Sequence, residues 1–123
     1  MSIEAINARN QFRGRIKEMY KSGGENVYPP EVEAVIAECP GVALVAVIGV
    51  PDPKWGEAIT AVVQPRAGTA PDLATLAPFT RERLSAYKAP KHVVTVDRLV
   101  RSPAGKADYR WARETALAAV GSH

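Results

Sequence analysis

The chain has 123 residues, 46% hydrophobic and 24% charged, with a formal net charge of +3. That size allows one domain with a single modest core, and the mild basicity suits an anionic ligand without the dense footprint of a nucleic-acid module. No apolar run nears the roughly 20 residues of a membrane span, the start has no signal-peptide stretch, and the single Cys39 rules out an internal disulfide. These features predict a cytoplasmic protein without a thiol-rich metal site.

Residues 1–12 are polar and patternless, and read as a flexible arm or the remnant of something longer. Residues 13–120 form the domain, and Gly121-Ser122-His123 reads as a vector-derived tail. From Ile16 to Lys21, apolar and charged side chains alternate as in an extended segment. Ser22-Gly23-Gly24-Glu25 follows, and paired glycines between strand-like runs signal a hairpin. The return run Asn26-Val27-Tyr28 stops at Pro29-Pro30, where a helix over Glu31–Glu38 can open. Its first turn carries Glu31 and Glu33, facing the positive end of the helix dipole. Val32, Val35, Ile36 and Cys39 make one buried stripe, with Cys39 an inert thiol on it.

Pro40-Gly41 ends that helix, and the apolar run Val42–Val50 predicts a central strand covered on both faces. Pro51–Gly56 is a turn, Glu57–Gln64 a strand pairing back, and Pro65–Asp72 a loop. Asp72 can cap a helix reaching about Tyr87, with Pro78 delaying its true start. Lys88–Lys91 breaks the chain, His92–Leu99 is a third strand, and a terminal helix runs from Ala107 to about Val120. Trp55 and Trp111 read as core or rim packing. The class is α+β: a small mixed sheet of about three strands flanked by three helices, with an extra N-terminal two-stranded hairpin.

Two places could carry chemistry. The hairpin presents Arg15, Lys17, Lys21 and Asn26 around the bare backbone of Gly23 and Gly24. That suits a phosphate-bearing ligand, but four polar residues on a hairpin are also an ordinary solvated face, the reading that spacing alone favours. Lys106 ends a Ser-Pro-Ala-Gly loop just ahead of a helix whose free N–H groups could meet an anion. On a loop that can swing, its ammonium could stabilise negative charge on a phosphoryl oxygen; it could also be a plain surface lysine. The earlier glycine of a Walker P-loop is missing. The two histidines and Cys39 offer no catalytic pair, and metal-ligand clusters are absent from the pattern.

Taken together, five stretches in order resemble the small C-terminal domain of the adenylate-forming superfamily of acyl-CoA synthetases, aryl-CoA ligases, adenylation domains and luciferases. They are GRIKEM (Gly14–Met19), KSGGENVYPPEVE (Lys21–Glu33), VAVIGVPDPKWGE (Val45–Glu57), LSAYKAPK (Leu84–Lys91) and RSPAGKADYRWARE (Arg101–Glu114). ENVYPPEVE with YKAP resembles the CoA-ligase branch, and SPAGKADYRWA looks most like actinobacterial fatty-acyl or steroid-acid CoA ligases.

The resemblance implies that Lys106 bridges acyl carboxylate and nucleotide during adenylation, and that Lys17 is the hinge between half-reactions. It implies nucleotide contacts for Arg15, Lys21 and Asn26, and a CoA-facing backbone at Gly23 and Gly24. ATP and CoA would be substrates with a carboxylic acid, AMP a product, and Mg²⁺ would accompany ATP in a large N-terminal domain preceding Gly14. The small domain alone would need no cofactor and hold no metal. Val100 stands where the family often has proline, which should leave Lys106 in place. The phosphate loop, adenine platform and acyl pocket belong to the large domain, so the chain alone is expected to be inactive. The alternative is a stand-alone binding or regulatory module that completes a separate adenylating subunit. A nucleic-acid-binding domain comes last, since the interleaved aromatics for base stacking are missing. The hairpin rim of an isolated domain is expected to favour self-association.

Overall fold

The computed structural model describes residues 19–120. The expected arm, Arg15, Lys17, the first half of the alternating run and the tail lie outside the described residues. Within them come β1 (Tyr20–Ser22), β2 (Glu25–Val27), α1 (Pro29–Ile36), β3 (Val42–Asp52) and β4 (Gly56–Pro65). Then follow α2 (Leu73–Arg81), a 3₁₀ turn at Ala86–Lys88, β5 (His92–Thr95) and α3 (Tyr109–Val120).

The α+β expectation holds, and the sheet is mixed: β4 runs antiparallel to β1 and β3 and parallel to β5. The hairpin is part of that sheet. Its first strand bridges Ser22 to Gly56, which joins five strands in the order β2-β1-β4-β3 with β5 also on β4.

The apolar run does form a strand covered on both faces, since Ala46, Val47, Ile48 and Val50 are all buried. It is not central, however. β4 holds the middle of the sheet, and among the described residues no strand pairs with the outer side of β3. Side chains close that side instead. Val47 N–H donates to Glu33 Oε2 at 2.8 Å, and the Gly49 carbonyl accepts from Arg113 Nη1 at 2.7 Å. An edge strand so capped can be as apolar as an interior one without offering a template for other chains. Continuous hydrophobicity reports covered faces, not position in the sheet.

Helix boundaries follow local chemistry. α1 starts at Pro29 with Pro30 second, two residues that lack the N–H groups a helix start leaves unpaired, and it has no side-chain cap. Val32, Ile36 and Cys39 are buried as the stripe requires, with Val35 half-buried. Asp72 caps α2 as expected, its Oδ1 accepting from Thr75 N–H and Thr75 Oγ1, each at 3.0 Å. Pro78 does not delay that start; the helix begins at Leu73 and holds Pro78 inside it. Nor does it reach Tyr87. Ser85 and Ala89 turn extended around the 3₁₀ segment, and Pro90 disfavours helix at the residue before it.

β5 also stops early, at Thr95. Val96 N–H still reaches the Val63 carbonyl at 2.9 Å, but β4 ends at Pro65, and Leu99 N–H goes to Gln64 Oε1 instead. Both α1 and α3 lie against β3. The turn from β3 to β4 is fixed by Asp52 Oδ1, which accepts from Lys54 N–H at 2.8 Å and Trp55 N–H at 3.0 Å.

Candidate functional site

The loop carrying Lys106 is a closed miniature hairpin. Asp108 N–H bonds the Val100 carbonyl at 2.9 Å, Arg101 bridges Ala107, and Ser102 N–H bonds the Lys106 carbonyl at 2.7 Å. Pro103 and Ala104 form the tip, and Gly105 takes φ +87°, a conformation that disfavours a Cβ. Lys106 itself is exposed and makes no side-chain hydrogen bond or ion pair among the described residues. The site is therefore an accessible ammonium on a backbone that is hydrogen-bonded shut. A loop that swings by itself does not match this geometry, since each pair across its base would have to break.

The helix start beside it differs from the sequence-based expectation too. Asp108 Oδ1 accepts from Trp111 N–H at 3.0 Å, so a carboxylate of this chain already occupies the N-terminus of α3. An anion arriving there would meet that negative charge. Of the two anion-facing features the sequence suggested here, the Trp111 amide is taken by Asp108 and the Lys106 side chain is exposed.

Behind the loop, the first residue of α3 reaches across to α1. Tyr109 Oη donates to the Glu33 carboxylate, 2.7 Å from Oε1 and 2.6 Å from Oε2. Burial raises the Glu33 pKa above its ordinary value, against the lowering effect of the Tyr109 and Val47 bonds. Burial likewise raises the Tyr109 pKa, aided by the bond to Glu33, its charge and the nearby Tyr20. The phenol keeps its proton and donates it in hydrogen bonds to the carboxylate oxygens. One turn further along α3, Arg113 holds the Gly49 carbonyl. Glu33 thus serves the strand edge and α3, where the sequence suggested a dipole-facing residue; α1 begins early enough that Glu31 alone keeps that place. Sequence reading missed both Glu33 and Tyr109 as part of the site, because no periodicity links positions 76 apart. The adjacency of Tyr109 to the Lys106 loop was the available signal.

At the hairpin, Lys21 and Asn26 face one another in register and both are exposed. Gly23 and Gly24 form the tip with φ +61° and +85°, and both are exposed. Nothing lies within 4 Å of a Cβ built on Gly24, whereas one on Gly23 would stand 3.2 Å from the Trp55 ring. Gly23 N–H bonds the Trp55 carbonyl at 2.8 Å, so the tip is fastened to the β3–β4 turn. Trp55 does pack against the core, and it also has Lys54 Nζ and Lys91 Nζ at 5.1 and 4.7 Å from its ring. Desolvation, with the Arg81 charge, lowers the Lys91 pKa. The structure thus groups Lys21, Asn26, Gly23 and Gly24 on one exposed tip, with Lys106 on a separate exposed loop. Among the described residues no hydrogen bond or ion pair joins the two, and no group of three or more His, Cys, Asp or Glu stands ready for a metal. No helix among them is long and apolar enough to cross a membrane.

Comparison with known proteins bears on what these two exposed features serve. The AMP-binding enzyme C-terminal domain matches residues 31–106. A medium/long-chain-fatty-acid–CoA/3-oxocholest-4-en-26-oate–CoA ligase of Mycobacterium tuberculosis (strain ATCC 25618 / H37Rv) is 50% identical over 101 residues, 82% of this chain and 18% of that protein. A feruloyl-CoA synthase of an Amycolatopsis species is 51% identical over 92 residues, 75% of this chain and 19% of that protein. Among solved structures, Mycobacterium tuberculosis fatty acyl CoA synthetase superposes with a TM-score of 0.76 at 43% identity, covering 85% of this chain and 21% of that one. The chain spans under a fifth of the length of these curated relatives.

Proposed function

This chain belongs to the AMP-binding enzyme C-terminal domain family, and from that we propose that it is the mobile small domain, residues 13–120, of a cytoplasmic acyl-CoA ligase. The reaction has two halves. A carboxylate attacks the α-phosphorus of ATP, giving acyl-adenylate and pyrophosphate; the CoA thiol then displaces AMP to give the thioester. The observation that carries this reading is Lys106, exposed and unpaired among the described residues on a loop whose backbone is hydrogen-bonded across its base.

In the first half-reaction, charge accumulates on the oxygens between carboxylate and phosphorus. A cation held there stabilises that charge more than it stabilises the separated reactants, which lowers the barrier. Lys106 would do this, with Arg15, Lys21 and Asn26 near the nucleotide. Since the closed loop cannot deliver the lysine by itself, rotation of the whole domain about Lys17 would bring Lys106 in and later take it away. The exposed tip at Gly23 and Gly24 would then line the passage for the CoA thiol arm, where side chains would obstruct. The Mg²⁺ accompanying ATP would be held by the larger N-terminal domain. That larger domain would also supply the acyl and adenine pockets, leaving this chain inactive alone.

The test separates the half-reactions in the complete ligase. Lys106→Ala should abolish pyrophosphate release from ATP and carboxylate, yet spare thioester formation from supplied acyl-adenylate. Equal loss of both would contradict the role given to Lys106.

A further inference from the structure

We propose that Glu33 and Tyr109 are positioning residues for Lys106, acting as a brace that fixes the direction in which its loop presents the ammonium. The inference rests on the catalytic reading of Lys106 above. Tyr109 lies three residues past Lys106, and both residues between them are tied back to the other arm of the loop: Ala107 bridges Arg101, and Asp108 N–H bonds Val100. The exit arm therefore inherits its orientation from wherever Tyr109 is held.

That holding point is unusually well defined. The Tyr109 hydroxyl meets both oxygens of Glu33, and the same carboxylate grips Val47 N–H on the outer edge of β3. Arg113, one turn on, bonds Gly49, two residues along the same edge. Two attachments a helical turn apart, reaching strand positions two residues apart, fix where α3 lies along β3. Only the first is next to the loop. An ammonium must arrive within hydrogen-bonding reach of the reacting oxygens, and displacement by about an ångström is enough to lower a rate a hundredfold.

Two measurements decide it. In this chain, amide hydrogen exchange at Ser102, Gly105 and Asp108 should quicken on the order of tenfold in Tyr109→Phe, with the β3–β4 amides unchanged. In the complete ligase, Tyr109→Phe and Glu33→Gln should each lower the adenylation kcat on the order of tenfold, leave KM and the thioester half-reaction alone, and be non-additive when combined. Uniform acceleration of exchange across the sheet would show a merely structural bond and overturn the proposal. So would unchanged kcat, or an effect confined to KM. Lys106→Ala in the same assay keeps the two readings apart. If it spares adenylation, the catalytic reading falls and the exchange result alone decides the brace; if it abolishes adenylation while Tyr109→Phe changes neither loop exchange nor kcat, the brace falls alone.

Discussion

Tyr109 at the start of α3 and Glu33 in α1, 76 positions apart in the chain, meet at 2.6 and 2.7 Å. The carboxylate simultaneously closes the outer edge of β3 at Val47. One side chain therefore joins two helices and a strand, and the exposed lysine loop leads directly into that junction. Its titration behaviour supplies two checks on the geometry.

The first is alkaline. Tyr109 has a folded pKa raised above the ordinary 10.0 by burial, by the bond to Glu33, and by the charges of Glu33 and Tyr20. Above pH 10 the unfolded chain releases the phenolic proton that the folded chain keeps, so the unfolded state binds fewer protons and stability falls as pH rises. Urea midpoints followed upward from pH 10 should therefore drop more steeply for the wild type than for Tyr109→Phe. Parallel curves would mean that the phenol is not held as described.

The second is acidic. Burial raises Glu33 above the ordinary 4.5, against the pull of its two hydrogen-bond donors. Its contribution is fully present below pH 4.5 and is lost as pH rises through the folded value, because there the folded state holds the extra proton. The wild type should lose ground against Glu33→Gln over that interval, read as the difference in unfolding free energy between the two proteins. A difference that widens in favour of the wild type with rising pH would contradict the assignment.

Gly49 sits beneath the buried ring of Tyr20, and a Cβ there would stand 2.5 Å from a ring carbon. Gly49→Ala should cost about 1–3 kcal/mol through forced displacement of packed atoms. Gly68 has φ +80° but nothing within 4 Å of a Cβ, so Gly68→Ala should cost only the backbone term, about 1 kcal/mol. Chemical denaturation of both variants separates collision from backbone strain; equal losses would refute the close approach of Tyr20.

Ser22 is 1% exposed and its hydroxyl has no hydrogen-bond partner among the described residues. A buried hydroxyl without a partner carries a desolvation cost of about 1–3 kcal/mol. Ser22→Ala should thus leave stability unchanged or raise it, as measured by thermal unfolding. A clear loss would reveal a partner for that oxygen.

Local chemistry determined much of this protein in advance. The diproline opening of α1, the Asp72 cap, the glycine tip at Gly23–Gly24 and the strand pair joined at Asp52 each depend on residues within a few positions of one another. The resemblance to the family was legible for the same reason, since its stretches are contiguous and keep their order. Tertiary structure alone decided the rest. That β3 is an edge strand rests on Glu33 and Arg113, which supply from two helices the partners that a further strand would have given. That the Lys106 loop is closed, and that Asp108 already fills the start of α3, rests on bonds made only once the loop's two arms meet. That Tyr109 is anchored rests on a carboxylate delivered from the other end of the chain. Periodicity records which face of an element avoids water; it carries no record of which distant side chain completes a backbone group or shares a proton.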